Sequence, residues 1–151
     1  MKFRTLAAGS GVLLAGAIAA YAHSGATGVI KERMDMMVDI AAQMKAVGQM
    51  IRGNSVFDAD RAAEAAAAIA DHAGQLPELF PEQTLAGPSE AAADIWDNWD
   101  EFVSLSEQLE LKADALAEAS VDAAEASDIV QQFRALGRTC QSCHEDFRTP
   151  G

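Results

Sequence analysis

Residues 140–148 read CQSCHEDFR and hold both cysteines of this 151-residue chain. Cys140, Cys143 and His144 form the C-x-x-C-H pattern that is typical of covalent haem attachment. Side chains three residues apart lie on one face of a helix, so both thiols can reach the two vinyl groups of a single porphyrin. The adjacent imidazole can then bind the iron as its proximal axial ligand. The stretch predicts one haem c, held by two thioethers and by His144.

The first 22 residues have the pattern of a secretory signal peptide. Lys2 and Arg4 form a short positive region, residues 6–20 are apolar or small, and residues 20–22 give an Ala-x-Ala cleavage site. A membrane anchor, the alternative, would need about 20 apolar residues, and this run is shorter and is interrupted by Gly and Ser. We predict a signal peptide over 1–22 and an exported, periplasmic domain over 23–151. No later run approaches spanning length, so we expect no stable membrane insertion of the mature chain.

Three other interpretations of the cysteine pair stay open. A thioredoxin-like dithiol belongs at the start of a helix in a βαβ unit, whereas this pair lies near the end of the last predicted helix. A zinc site would need a fourth ligand, and the further histidines are His23 and His72. A structural disulfide would leave His144 without a role. We favour haem, because c-type haem is attached outside the cytoplasm and the chain begins with an export signal.

The charge of the chain limits its partners. It carries 11 basic and 23 acidic residues, a net charge of -12. Removal of the signal peptide deletes two bases and no acids, which leaves 129 residues with a charge of -14. A nucleic-acid partner would need a basic stripe, so this composition excludes it. Redox partner proteins with a basic docking surface are favoured, because long-range attraction speeds their encounter.

The composition favours an all-α fold. Half of the residues are hydrophobic and only 6% are aromatic, and the alternating Val, Ile and Thr pattern of half-buried strands is hard to find. Four amphipathic helices are predicted, at about 27–52, 58–74, 89–117 and 122–149. The connection over residues 75–88 holds three of the four prolines and is predicted to be non-helical. We expect an antiparallel up-down-up-down four-helix bundle with covalently attached haem c.

Local signals mark the ends of these helices. The markers are Gly53-Asn54 after the first helix, Asp58 or Asp60 before the second, Ser89 before the third, and a capping box of Asp122 and Glu125 before the fourth.

The chain resembles the class II cytochromes c, which comprise cytochrome c′ and its low-spin relatives of the cytochrome c-556 type. Residues 140–148 match the closing motif of that family, C-x-x-C-H-x-x-F-R, in its usual place near the C-terminus. Weaker matches follow in the family's order: Ile30–Arg33, Phe57-Asp58, Leu79–Pro81 and Ile95-Trp96. The resemblance implies a haem-binding four-helix bundle, and it allows a homodimer that pairs through the first two helices.

The resemblance also indicates the residue on the opposite face of the haem. In this family the first helix covers that face, and the covering residue stands one turn after an arginine; counted from Arg33, it is Met37. Cytochromes c′ have an apolar residue there and an open iron, whereas the c-556 type has a methionine that binds the iron. An antiparallel fourth helix would bring His144 to a similar height. We therefore predict Met37 as the distal ligand.

Alternatives to Met37 stay open. Met37 also lies on a predicted inward stripe of the first helix, where methionine is an ordinary core residue. The stripe contains Ile30, Met34, Met37, Ala41, Met44, Gly48 and Ile51. Met34 and Met36 lie within one turn of Met37, and His72 ends the second helix at the same end of the bundle.

Two arginines are further candidates. Arg33 is predicted either to pair with a haem propionate or to be a solvated helix charge. Arg148, one turn after His144, is expected to influence the hydrogen bonding of the proximal ligand.

The predicted function is that of an electron carrier, not of an enzyme. Methionine opposite histidine would give six-coordinate, low-spin iron and a higher reduction potential than two histidines. The alternative is a five-coordinate, high-spin cytochrome c′ that binds nitric oxide or carbon monoxide.

Overall fold

The computed structural model describes residues 25–82, 84–85 and 88–149, so the predicted signal peptide and His23 lie outside the described residues. The helices are α1 (Gly28–Ile51), α2 (Ala59–Gln75), α3 (Asp94–Asp97), α4 (Trp99–Val121) and α5 (Val130–Phe147). Two 3₁₀ segments, Leu76–Leu79 and Ala126–Ile129, follow α2 and precede α5. The all-α prediction is confirmed. No helix in these ranges is both long enough and apolar enough to span a bilayer.

The ends of α1 and α2 form as the sequence predicts. Gly53 has a φ of 72°, the left-handed conformation that glycine adopts most easily. The N–H groups of Gly53 and Asn54 donate to carbonyls in the last turn of α1 at 3.0 and 2.9 Å, which completes a Schellman motif. Asp58 caps α2, since its side chain accepts a hydrogen bond from the N–H of Arg61 at 3.0 Å.

The predicted third helix is wrong at its start. It does not begin at Ser89: the short α3 starts at Asp94, and Asn98 separates it from α4. The residues before α3 pair with the end of α5 instead, and the N–H of Ala92 donates to the carbonyl of Phe147 at 2.9 Å. This tertiary pairing holds the segment extended, in spite of its helix-favouring alanines.

Two other predicted boundaries are also wrong. The 3₁₀ segment lies inside the connection predicted to be non-helical, with Pro77 in its first turn, where the missing proline N–H leaves no intrahelical bond unmade. The capping box is formed by Glu125 and Asp128, not by Asp122 and Glu125. The cap therefore lies three residues later than predicted, and α5 itself begins only at Val130, after the 3₁₀ segment.

Helices α2 and α4 form the closely packed half of the bundle. Their facing side chains are mostly small and are all buried; the set is Ala62, Ala65, Ala66, Ile69, Ala70, Ala73, Leu109, Ala113 and Leu116. Small side chains let the two helices approach closely. The hydroxyl of Ser106 donates to the carbonyl of Ala73 at 2.7 Å across the interface. Together with Ile40, Val47, Ile129 and Leu136, these apolar residues belong to the main core cluster.

Helix α1 lies antiparallel to α2. The ring of His72 is hydrogen-bonded to Asp39 at 2.8 Å, and Arg61, near the start of α2, donates to Gln43 further along α1 at 2.8 Å. The predicted inward stripe is partly wrong. The buried residues of α1 are Ile30, Arg33, Ile40, Val47, Gly48 and Met50, whereas Ala41 is exposed and Met34, Met37, Met44 and Ile51 are half-buried. Met34, Met37 and Met44 thus lie on the flank of the buried side of α1.

Candidate haem site

Both cysteines lie on the last two turns of α5, on one face of the helix. Cys140 and Cys143 are half-buried free thiols. Cys140 packs against the main core cluster, and Cys143 packs against a second cluster of Leu76, Phe80, Ile95, Phe102 and Phe147, here called the aromatic cluster. Burial raises the pKa of both thiols; for Cys143, the charges at Cys140 and Asp146 add to it and the pKa reaches about 11. Neither residue is a thiolate at neutral pH in this environment.

His144 follows on the exposed side of the same turn. Its pKa is lowered, first because neighbouring groups partly shield the imidazole from water and second because Arg148 is positively charged. Glu90 acts in the opposite direction. The neutral imidazole, the form that binds metals, is therefore favoured.

The end of α5 is held in place by the segment before α3. Phe147 is only 5% exposed, and its ring meets that of Phe102 edge to face at a centroid distance of 5.6 Å. The Nε of Arg148 donates to the carboxylate of Glu90 at 2.6 Å, and the N–H of Thr149 donates to the Glu90 carbonyl at 2.8 Å. Arg148 therefore pairs with Glu90 on one side of His144, and these contacts fix the orientation of the C-x-x-C-H turn.

The register between α1 and α5 can be read from two glycines. A Cβ placed on Gly48 would lie 3.3 Å from the ring of Phe133, and one placed on Gly137 would lie 3.9 Å from Cε of Met44. The two pairs are four residues apart on each helix, in opposite directions, so the helices run antiparallel. Seven residues further along, at the same rise on each helix, Met37 is level with His144.

Met37 and Met36 share the surroundings of that level. Both are half-buried, and both pack against the main core cluster and the aromatic cluster. Met34 is half-buried and has no place in either cluster. The structure thus brings two methionines to the level of the C-x-x-C-H turn, of which Met37 matches the register.

Arg33 is neither solvated nor free of contacts. It is 4% exposed, and it donates to the carbonyl of Leu79, to the carbonyl of Thr84 at 3.0 Å and to the hydroxyl of Thr84. Its guanidinium carbon lies 4.1 Å from the centroid of the Phe80 ring, a cation–π contact. Burial lowers its pKa. The sequence gives no signal for this clamp, since Arg33 and Thr84 are 51 residues apart.

The ring of His72 is hydrogen-bonded to Asp39 at 2.8 Å. That hydrogen bond is the main reason why the pKa of Asp39 is lowered. Among the described residues, no three His, Cys, Asp or Glu side chains gather into a group that could hold a metal ion. A zinc site built on Cys140, Cys143 and His144 has no support there, and both thiols are free of a disulfide.

The residues of the α1–α5 interface fit a haem c. Helix α1 packs mainly on α2 and helix α5 mainly on α4, so these two helices meet each other only sparsely. Cys140 and Cys143 pack against the same two clusters as Met36 and Met37, and His144 follows Cys143 in the chain. Two thiols, an imidazole and a thioether are the groups needed for thioether attachment and axial ligation. Gly137, one turn before Cys140, carries no side chain that would cover the approach to α5.

Comparison with known proteins decides the family. The family model described as Cytochrome C′ matches residues 28–148. The chain belongs to the cytochrome c′ family. A cytochrome c-556 from Agrobacterium fabrum is 33% identical over 151 residues, which cover 98% of this chain and 97% of that protein. A cytochrome c′ from Halomonas halodenitrificans is 37% identical over 111 residues, which cover 70% of this chain and 84% of that protein.

Solved structures agree on the fold. A cytochrome c′ from Shewanella frigidimarina matches this member of the cytochrome c′ family with a TM-score of 0.74 and 28% identity, and the match covers 81% of this chain and 94% of that one. The four-helix bundle and the haem c cofactor are thereby confirmed. Members of the family are periplasmic haem proteins that carry electrons or bind gases. Relatives of both the c-556 and the c′ type match, so these comparisons identify the family but not the sixth ligand of the iron.

Proposed function

We propose that this chain is a periplasmic monohaem cytochrome that carries single electrons, with haem c on Cys140 and Cys143 and six-coordinate, low-spin iron held by His144 and Met37. The observation that supports the proposal is the α1–α5 register at Gly48 with Phe133 and at Met44 with Gly137, which, continued by seven residues on each helix, pairs Met37 with His144 in height. Haem c supplies an iron that is oxidised and reduced by one electron at a time, and a methionine opposite a histidine raises its potential.

The chain's own residues explain how such a site would be held. The two free thiols lie on one face of α5, and each is anchored by a different core cluster. Phe147, Arg148 and Thr149 tie the end of α5 to residues 90–92, which limits the movement of His144. A carrier benefits from such rigidity, because a ligand set that does not rearrange lets the electron move without displacing a ligand.

The same proposal includes the role of Arg33, the signal peptide and the homodimer. A bond from Arg33 to a haem propionate would compete with its present bonds to Leu79 and Thr84. We therefore propose that the main role of Arg33 is to hold the loop that contains these two residues. Export through cleavage after Ala22 would deliver the chain to the periplasm. We further propose that the protein forms a homodimer and that its redox partners have basic surfaces. It would carry electrons without turning over a substrate.

A second function has a specific observation in its favour. The relative from Halomonas halodenitrificans, at 37% identity, is a cytochrome c′. A five-coordinate iron that binds nitric oxide or carbon monoxide is the corresponding proposal, and Met37 would then be a core residue.

Absorption spectra of the reduced protein separate the two functions. We expect a low-spin spectrum for the wild type and no rapid binding of carbon monoxide. Met37→Ala should convert the spectrum to the high-spin form and open the iron to carbon monoxide. Met36→Ala is the matched control, because Met36 packs against the same two clusters, and it should leave the low-spin spectrum unchanged. A high-spin wild type would establish the gas-binding alternative, and conversion by Met36→Ala alone would make Met36 the ligand.

A further inference from the structure

A surface groove that contains none of the proposed haem ligands lies between the start of α4 and the loop after α2. It has a volume of about 750 Å³, and its walls come from Trp96, Trp99, Phe80 and the prolines of the neighbouring loop, with Glu78 and Glu82 beside them. A shallower depression adjoins it on the other side of the two tryptophans and is lined by Asp97, Asp100 and Glu101. We call the two together the tryptophan groove.

The tryptophan groove is acidic and has no basic group in its lining. It lies in the part of the chain between residues 62 and 111, which contains eleven acidic residues and no lysine or arginine. The cation underneath, Arg33, lies against Phe80 and uses its donors on Leu79 and Thr84. The groove therefore presents aromatic rings inside a ring of uncompensated carboxylates.

An unbroken series of aromatic contacts joins the tryptophan groove to the end of α5. The ring centroids of Trp99 and Phe102 are 5.5 Å apart, those of Phe80 and Phe102 are 4.8 Å apart, and those of Phe102 and Phe147 are 5.6 Å apart. Phe147 is one turn beyond His144, and Cys143 packs against the same aromatic cluster. A protein bound in the groove would thus lie within a few side chains of the proposed haem.

This combination of groups selects one kind of occupant. Trp96 and Trp99 are half-buried, with part of each indole ring lining the groove. Indole faces attract the cationic heads of Lys and Arg, and tryptophans are frequent anchors of protein interfaces. Carboxylates around such anchors steer a positively charged protein and fix its orientation. We propose that the tryptophan groove is the docking site of a basic one-electron redox protein. In the complex one electron passes between the two proteins, so that one is oxidised as the other is reduced. This inference rests on the proposed electron-carrier function.

The test compares two haem-loaded variants that change the net charge equally. The groove variant combines Glu78→Gln, Glu82→Gln, Asp97→Asn and Asp100→Asn, and the control variant combines Glu64→Gln, Asp114→Asn, Glu118→Gln and Asp122→Asn. All eight carboxylates are on exposed residues. The α4 members of the control set lie more than about 20 Å along the helix from Trp99. The probe is mitochondrial cytochrome c, a basic haem protein.

Binding is measured by calorimetry at low ionic strength with both proteins ferric, so that no electron moves. We expect the groove variant to raise the Kd about tenfold or more and the control variant to raise it less than about threefold. The rate constant for electron transfer from the ferrous probe should fall in parallel, and added salt should remove the difference.

Two outcomes would overturn the docking site. Equal weakening in both variants would mean that net charge alone attracts the probe, and unchanged binding in the groove variant would mean that these carboxylates take no part. The proposed coordination is judged separately, by the reduced spectrum. A high-spin spectrum with the binding difference intact would remove the low-spin electron carrier and leave the docking surface, whereas a low-spin spectrum without the difference would do the reverse.

Discussion

The interface of α2 with α4 and the interface of α1 with α5 differ in how densely they are packed. In the first, small side chains such as Ala65, Ala66 and Ala113 are fully buried, and Ser106 adds a buried hydrogen bond between the helices. In the second, Met36, Met37 and Met44 of α1 and the cysteines of α5 are half-buried, and the helices approach each other around Gly48 and Gly137. The α2–α4 interface is densely packed, whereas the α1–α5 interface is sparsely packed.

This difference supports the proposed place of the haem, between α1 and α5. A native core is packed as densely as an organic crystal, so a row of half-buried thioethers and thiols between two helices is an incomplete core. Methionine is suited to such a position, because its unbranched side chain adapts to an irregular neighbour. The α2–α4 half is the densely packed scaffold, and the α1–α5 half contains the proposed haem ligands.

Loss of the covalent attachment should have the largest effect on this contrast. Cys140→Ser combined with Cys143→Ser removes both proposed thioethers, and we expect the exported protein to lack the added mass of haem. Amide hydrogen exchange should then become much faster in α1 and α5 than in α2 and α4, because only the first pair loses its packing partner. The measurement is peptide-resolved exchange followed by mass spectrometry.

Two results would contradict the contrast between the halves. Equal acceleration in all four long helices would mean that the bundle has a single cooperative core. Retention of covalent haem would contradict the proposed attachment. Cys140→Ser alone is the control, because one remaining thiol can hold the haem by a single thioether and should preserve most of the protection in α5.

Much of the scaffold could be predicted from the sequence, because local chemistry determines it. The Schellman motif at Gly53 and the cap at Asp58 depend on residues within one turn, and both form as expected. The spacing of Cys140, Cys143 and His144 likewise needs only the geometry of one helix.

What could not be predicted depends on contacts between distant residues. The late start of α3, at Asp94, follows from the pairing of Ala92 with Phe147, and the burial of Arg33 follows from its bonds to Leu79 and Thr84. Neither pairing has a periodic or local signature. The tryptophan groove has no sequence signature for the same reason, since it forms only where Trp96 and Trp99 meet the loop that contains Phe80 and Pro81.

A larger side chain at a buried position tests how densely the α2–α4 interface is packed. Ala113 is fully buried, so we expect Ala113→Leu to lower the free energy of unfolding by about 1–3 kcal/mol through overpacking. Ala115→Leu is the control, because Ala115 is exposed on the same helix, and its effect should stay within about 0.5 kcal/mol. Urea unfolding of the haem-loaded protein measures both. An Ala113→Leu variant as stable as the control would mean that the interface has spare room and that the contrast between the halves is smaller than described.

The smallest expected effect concerns the link between the two halves, the hydrogen bond of Asp39 on α1 with His72 on α2. The side chain of Asp39 is 47% exposed, so Asp39→Asn should cost no more than about 0.5 kcal/mol at pH 6. The pKa of Asp39 is lowered in the folded protein, chiefly by this bond. Its contribution is therefore present above the unfolded pKa, about 3.9, and is lost as the pH falls through the lower, folded value. Urea unfolding at pH 6 and pH 3 should show the difference between wild type and variant shrinking at the lower pH. In a His72→Gln background the difference should be largely absent at both, because the principal partner of Asp39 is gone. A pH-independent difference that survives in that background would place the effect in the packing of α1 and not in its bond to α2.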